Sequence, residues 1–146
     1  MENNKFKLFD IVRIKSYQWW EENKYFESDF GEYIVRENNC YDFSTEMSAW
    51  CGSLAIIMKV DIEEEEDVYS VIVLDPEYDI IGGENFVWMN FMFEDKPVLR
   101  ISEEEYKILP FGKLYIISTL DGCIPEFFET IEDANNRISK IIASKI

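Results

Sequence analysis

Carboxylates are the side chains of this sequence best suited to chemistry, since its 146 residues include thirty Asp and Glu but no histidine. Without imidazole, the chain cannot assemble a Ser-His-Asp triad, a Cys-His dyad or a histidine metal site from its own residues. No GxGxxG, P-loop or nucleophile-elbow motif is present either. We therefore predict no catalytic residues and no cofactor, and we expect a protein that is not an enzyme.

One acidic segment, Asp75-Pro76-Glu77-Tyr78-Asp79, resembles the start of a calcium loop because its acids alternate. An EF-hand also needs a glycine at position six and a glutamate at position twelve of the loop, and this segment has neither. Asp75, Asp79 and Glu84 offer a looser divalent site, since oxygen ligands suit Ca²⁺ and Mg²⁺. Solvated loop acids are the simpler interpretation. We assign no metal ligand and keep a carboxylate-based divalent-metal enzyme as the second alternative function.

The negative charge is concentrated in the middle of the chain. The formal net charge is -16, and residues 61–105 hold fifteen acids against Lys96 and Arg100, a net of -13. Such a surface should not bind nucleic-acid phosphates or anionic membranes, because both need clustered Lys and Arg. It should attract cationic partners instead. The charge pattern therefore predicts contact with a basic protein, and no direct contact with nucleic acid or membrane.

The cysteines and the lack of long apolar segments indicate free thiols and a cytoplasmic location. Cys40, Cys51 and Cys123 are odd in number and lack C-x-x-C spacing, which favours free thiols in a reducing cytosol. The N-terminal residues contain no apolar signal segment, and the apolar runs are far shorter than a membrane span. We expect a soluble, cytoplasmic protein.

The elements that position the acids are predicted to be mostly strands. Apolar, β-branched runs predict strands at 11–14, 54–60, 69–74 and 86–93. The acidic run 63–67 between two of these strands is expected at an exposed hairpin end. Ser16 should cap a short helix that carries Trp19 and Trp20, and 44–50 should form one or two helical turns.

The C-terminal third follows a different pattern. Ser102 and Glu105 fit a capping box, which predicts a helix over 103–109 that ends at Pro110. Strands at 113–119 and 123–128 flank the Asp121-Gly122 turn signal. Thr130 should then cap an amphipathic helix whose apolar stripe packs on the sheet.

Residues 5–95 resemble a small SH3-like β-barrel of the KOW type, as found in short proteins encoded by phages and mobile elements. The resemblance is carried by Asp10–Ile14, Met47–Gly52, Ala55–Ile57 with Val60, Tyr69–Asp75, and Phe86, Trp88, Met92 and Phe93. Phe9 stands where such turns usually have glycine. The resemblance implies a fold and a binding role rather than a reaction.

The predicted fold class is therefore α+β, with an SH3-like antiparallel β-barrel followed by a helix–β-hairpin–helix extension. The expected domains are residues 1–95, with a loop and helix insert at 16–50, and residues 96–146 packed on them.

The acids near the barrel strands cannot be buried unpaired, so they should share its outer face. Asp75, Glu77 and Asp79 are expected to form a row along a strand, about 6.6 Å apart. Trp19 and Trp20 point about 100° apart on a helix, so one is expected to be partly exposed as an apolar anchor, although tryptophan is mostly core. The predicted partner-binding residues are Glu63, Glu64, Glu65, Glu66, Asp67, Asp75, Glu77, Asp79, Glu84, Trp19, Trp20, Glu21 and Glu22.

The sequence thus predicts a non-enzymatic interaction protein that binds a basic protein surface. Its most specific form is a nucleic-acid mimic that blocks a nucleic-acid-binding host protein or ribonucleoprotein, as an anti-CRISPR or other anti-defence inhibitor does. The alternative is an adaptor or structural module whose acidity only provides solubility.

Overall fold

The computed structural model describes residues 5–27, 31–34, 41–102 and 104–146. It divides the chain into two compact units, Met1–Arg100 and Ile101–Ile146. Both units combine helices with antiparallel strands, so the chain is an α+β protein. The sequence predicted the boundary between the two domains after residue 95, whereas the first unit ends at Arg100.

The first unit contains eight strands and two α-helices among its described residues. In chain order these are β1 (Ile11–Arg13), α1 (Tyr17–Asn23), β2 (Tyr25–Glu27), β3 (Gly31–Ile34), β4 (Phe43–Ser44), α2 (Thr45–Ser48), β5 (Leu54–Glu63), β6 (Glu66–Leu74), β7 (Ile80–Gly82) and β8 (Trp88–Met89), followed by a 3₁₀ helix at Asn90–Met92. Ser16 caps α1 by accepting a hydrogen bond from the Trp19 N–H, as predicted, because its hydroxyl satisfies an otherwise unpaired donor.

The main sheet is curled. Its strand order is β1-β5-β6-β7, and β8 also pairs with β6. The 3₁₀ helix connects β8 to Phe93, which forms a bridge to Ile14, just after β1 at the other edge of the sheet. So short a connection requires the two edges to lie close together, and the sheet is consequently a half-barrel. This agrees with the predicted barrel in its general form.

Aromatic rings fill the core of the first unit. The rings of Trp88 and Phe93 are stacked with centroids 5.7 Å apart, and Phe6 meets Tyr69 edge-on at 5.8 Å. Phe43 on β4 connects the small β2-β3-β4 sheet to this cluster through its contact with Trp88. Burial of each ring contributes about 1.5–3 kcal/mol, as does burial of each Val, Ile and Met side chain of the same cluster.

The described residues of the second unit form a three-stranded sheet and one α-helix. Its elements are β9 (Tyr106–Phe111), β10 (Leu114–Thr119), β11 (Gly122–Cys123) and α3 (Ile131–Ala143), and the strand order is β11-β10-β9. Thr130 caps α3 by accepting a hydrogen bond from the Asp133 N–H, as predicted. The apolar stripe of α3 is buried at Ala134, Ile138 and Ile142. No helix in the described ranges has the length and apolar character needed to cross a membrane.

The helix predicted over 103–109 is wrong. Ser102 does form a turn, because its hydroxyl accepts from the Glu104 N–H at 3.3 Å and its carbonyl from the Glu105 N–H at 3.1 Å. The chain then extends as β9 and pairs with β10. Pro110 is tolerated there because β9 is an edge strand, where a missing N–H need not break a ladder hydrogen bond.

Two other predicted strands are shorter in the structure. The strand expected over 86–93 is confined to β8, because the chain turns into the 3₁₀ helix to reach the opposite sheet edge. The strand expected over 123–128 is reduced to β11, with an isolated bridge between Tyr115 and Phe128. Cys51 and Cys123 are free thiols, and Cys40 lies outside the described residues.

Candidate functional site

The exposed end of the β5–β6 hairpin carries the densest acidic run. We call Glu63–Asp67 the acidic hairpin end. Glu63 pairs with Glu66 across the ladder, so Glu64 and Glu65 form a two-residue turn, in the position predicted for this run. Their φ values are 51° and 70°, the left-handed conformation that a type I′ turn requires at both central residues. Such a conformation disfavours a residue other than glycine by about 1–2 kcal/mol.

The acids of this hairpin end differ in their surroundings. Glu63 accepts a hydrogen bond from the Tyr41 hydroxyl. Asp67 accepts one from the Asn90 side-chain amide at 3.4 Å. Glu64 and Glu65 are exposed, and no described Lys or Arg forms an ion pair with either of them. The tip of the hairpin therefore presents its negative charge directly to solvent.

A buried hydroxyl anchors the hairpin end to the core. The Tyr69 hydroxyl donates to Asn90 Oδ1 at 2.6 Å and accepts from the Phe6 N–H at 3.3 Å. Burial is the main reason why the pKa of Tyr69 is raised, and the neighbouring Asp67 carboxylate adds to the effect. The phenol therefore stays protonated and keeps donating to Asn90, which in turn holds Asp67.

The acids at 75–79 form a turn, and the predicted row along a strand is wrong. Asp75 Oδ1 accepts from the backbone N–H groups of Glu77 at 2.8 Å and Asp79 at 3.0 Å. This local pairing competes with strand formation, because it gives the backbone donors a side-chain partner. Tyr78 has a φ of 65°, which completes the turn.

The structure separates the predicted acids into two groups. Asp67 lies near the start of β6 and Asp75 just beyond its end, so a strand contour of roughly 26 Å, at about 3.3 Å per residue, separates them. Glu84 follows Gly83, which packs closely against Val73, so Glu84 lies nearer to the Asp75 end. The acidic hairpin end is therefore a site on its own, rather than part of one continuous row.

Metal binding finds no support at these acids. In the described parts of the chain, no group of three or more Cys, Asp or Glu is arranged to hold a metal ion. Asp75, which was to be one of three ligands with Asp79 and Glu84, already uses one carboxylate oxygen to hold its own turn.

The two tryptophans of α1 belong to the core. Trp20 is 2% exposed, and Trp19 is half-buried with its ring edge-on to Phe43 at 5.2 Å. One of the pair, Trp19, is partly exposed, as predicted, and its ring also lies 6.4 Å from that of Phe91.

The acids that follow these tryptophans are locally engaged. Lys24 bridges Glu21, at 3.2 Å, and Glu32. The hydrogen bond to Glu32 is the main reason why the pKa of Lys24 is raised, and the Tyr17 hydroxyl is the main reason why the pKa of Glu21 is lowered. Glu22 accepts from the Gln18 amide at 3.1 Å. These contacts stabilise α1 and its neighbour β3, and they reduce the charge available to a partner.

Sequence reasoning missed the residues that support the hairpin end. Tyr41 and Asn90 are distant from the hairpin end in the sequence, and Tyr69, although near it, is an uncharged strand residue. The hydrogen bonds that join these residues to one another and to the acids depend on the curl of the sheet. No local pattern would have identified them.

Comparisons with protein-family models, with curated proteins and with solved structures gave no match to this chain.

Proposed function

We propose that this protein binds a basic surface of another protein through the acidic hairpin end, Glu63–Asp67, and catalyses no reaction. One observation carries the proposal. Glu64 and Glu65 occupy the two left-handed positions of the turn, where Asn-Gly is the favoured pair. The turn therefore retains two acids at a conformational cost, and such strain at an exposed site favours a functional interpretation.

Electrostatics supports the same proposal. The hairpin end places five consecutive acids beside each other, and their mutual repulsion disfavours the folded state. The same concentration of charge raises the association rate with a cationic surface and excludes anionic partners. Stronger binding to a cationic partner would offset the loss of folding stability. Solubility alone does not require so many acids at one place.

The specific form that we propose is a nucleic-acid mimic on an SH3-like barrel. Its carboxylates would take the place of phosphates in the basic groove of a nucleic-acid-binding host protein or ribonucleoprotein, as in an anti-CRISPR or other anti-defence inhibitor. Glu64 and Glu65 are exposed and form no ion pair with a described Lys or Arg, so they supply adjacent free carboxylates of the kind that such a groove would bind.

The first experiment measures binding of a fluorescent deca-arginine peptide by anisotropy. The test variant carries Gln at Glu63, Glu64, Glu65 and Glu66. The matched control removes four exposed acids of the second unit through Glu104→Gln, Asp121→Asn, Glu129→Gln and Glu132→Gln. We expect the hairpin variant to bind about tenfold more weakly and the control to change less than about threefold.

Equal losses in the two variants would show that only net charge matters, and the acidity would then serve solubility in an adaptor or structural module. Wild-type binding should also weaken as NaCl is raised, because salt screens exposed charges.

The second experiment addresses mimicry. Wild-type protein and the hairpin variant are used to capture proteins from a nuclease-treated cell extract. A protein held by wild type alone should bind labelled duplex DNA or RNA and release it when this chain is added. If every such protein is indifferent to nucleic acid, the mimic form fails, while recognition of basic surfaces by the hairpin end is still measured by the peptide experiment.

A further inference from the structure

The sheet of the second unit has two faces of different character. Residues that stand opposite each other on antiparallel strands share a face, and neighbours along a strand alternate. The register pairs Phe111 with Leu114, Leu109 with Ile116, and Lys107 with Ser118. We call this set of six residues the open face.

The helix α3 covers the other face. That face carries Tyr106 and Ile117, both buried, at alternate positions of β9 and β10. The Lys145 ammonium group, just beyond the end of α3, lies 5.5 Å from the centre of the Tyr106 ring. The helix therefore lies against the Tyr106 side of the sheet, and the open face points away from it.

Three of the four apolar residues of the open face are exposed, and the fourth, Ile116, is half-buried. Leu109, Phe111 and Leu114 are 41%, 59% and 36% exposed. Phe127, which is 60% exposed, extends the patch, since its ring centre is 5.6 Å from that of Phe111. Each of the two phenylalanines alone exposes about 120 Å², taking about 200 Å² for a whole side chain. With the exposed parts of Leu109 and Leu114 added, the patch reaches roughly 400 Å², which is in the range of patches that are often functional.

Positive charge borders this apolar patch. Lys107 lies on the open face, and Lys113 lies in the turn between β9 and β10. Both are exposed, and neither forms an ion pair with any acid that the structure describes. The strands β9 and β10 contain no Asp or Glu. In a chain with a net charge of -16, this is a local reversal of sign.

Area and charge together argue against a second copy of the chain as the occupant. A stable dimer buries about 800 Å² on each partner, twice the estimated patch. Two copies joined through this face would also bring their lysines together without an acid on either strand to pair with them. A short acidic partner matches both the size and the sign of the surface.

We propose that the open face binds a short acidic amphipathic segment of another protein. The apolar side chains of the segment would cover Leu109, Phe111 and Leu114, while its carboxylates would lie near Lys107 and Lys113. This surface is of opposite sign to the acidic hairpin end, and the proposal does not depend on what that end binds.

The test uses a fluorescent peptide of about 16 residues, long enough to begin to form a helix, with Leu and Phe on one helical face and Glu on the other. A control peptide replaces every Glu with Lys. Phe111→Ser removes apolar contact, and Lys107→Glu combined with Lys113→Glu reverses the charge. Matched controls are Leu120→Ser, at a 66% exposed leucine in the β10–β11 turn, and Lys140→Glu on α3.

We expect the acidic peptide to bind wild type, and each open-face variant to weaken that binding about tenfold, against less than about twofold for the matched controls. Amide chemical shifts of wild type should move at residues 107–118 when the peptide is added. Melting curves establish that the variants are folded. The chemical-shift map is recorded on wild type, so it locates the binding site without relying on any variant.

Three outcomes would overturn the proposal. The first is that wild type binds the acidic and the basic peptide equally well, or binds neither peptide. The second is a wild-type dimer in light scattering that Phe111→Ser dissociates, which would assign the face to a second copy. The third is binding to phosphatidylglycerol vesicles that the same variants abolish, which would assign it to a membrane.

Discussion

At the scale of single residues, the Asp10 carboxylate is the one fully buried charge among the described residues. Its side chain has no solvent exposure, yet both carboxylate oxygens have hydrogen-bond partners. Arg100 donates to it twice, through Nε at 2.9 Å and Nη2 at 2.8 Å, and the Lys7 N–H adds a third hydrogen bond at 2.9 Å. Two charges 90 residues apart thereby join the end of the first unit to its first strand.

Asp10→Asn should therefore destabilise the protein. The amide cannot accept both guanidinium hydrogen bonds, and because Arg100 is half exposed, the main loss is one charge-assisted hydrogen bond, which is worth about 2 kcal/mol. Urea unfolding should show this loss of free energy. The control is Asp95→Asn, which breaks the exposed ion pair with Lys5 and should change the free energy of unfolding by less than about 1 kcal/mol. Similar losses in the two variants would contradict the role assigned to Asp10.

Phe9 shows how a residue-level signal was present in the sequence. The resemblance to SH3-like barrels predicted a glycine-type turn at this position, and in the structure the φ of Phe9 is 70°. Its side chain is 4% exposed, so the apolar contacts of the ring compensate for the strained backbone.

At the scale of elements, the β5–β6 hairpin allows function and stability to be separated. Replacing Glu64-Glu65 with Asn-Gly keeps the turn geometry and removes both the left-handed penalty and two like charges. We expect the free energy of unfolding to rise by about 1–2 kcal/mol. Binding of the deca-arginine peptide should weaken in the same variant.

A thermal melt and an anisotropy titration on the same preparation check both effects. Asp121→Asn offers a comparison, because it removes one exposed acid from the two-residue turn between Thr119 and Gly122 and leaves the acidic hairpin end unchanged. If the Asn-Gly variant is more stable and binds as tightly as wild type, the acids of the turn do not contribute to recognition.

The helix predicted over 103–109 shows the limit of element prediction. The capping signal at Ser102 is real, since its hydroxyl and carbonyl both accept hydrogen bonds from the following residues. A single turn satisfies those groups, and pairing with β10 is then worth more to Tyr106–Phe111 than continuing as a helix. The competing strand partner lies later in the chain, so a local pattern cannot weigh it.

At the scale of the whole molecule, the net charge of -16 acts on folding and binding in opposite ways. Raising NaCl from about 20 mM to about 300 mM shortens the Debye length from roughly 20 Å to roughly 6 Å. Screening of the self-repulsion should raise the melting temperature, while the affinity for the deca-arginine peptide should fall.

Melting curves and titrations over that salt range test the prediction. The variant with Gln at Glu63, Glu64, Glu65 and Glu66 carries four fewer charges, so its melting temperature should depend less on salt. A melting temperature that falls with salt in both proteins would mean that attractive ion pairs, rather than repulsion, dominate the electrostatic free energy.

The sequence by itself determined the acidic character of this protein, the position of Glu63–Asp67 at a hairpin end, and the helices capped by Ser16 and Thr130. These depend on groups near each other in the chain, so local hydrogen bonding and solvation decide them. Only the tertiary structure decided which acids lie together, that Asp10 meets Arg100, and that β9 pairs with β10 to leave one apolar face open. Each of these depends on contacts between distant segments, whose free energies no local pattern contains.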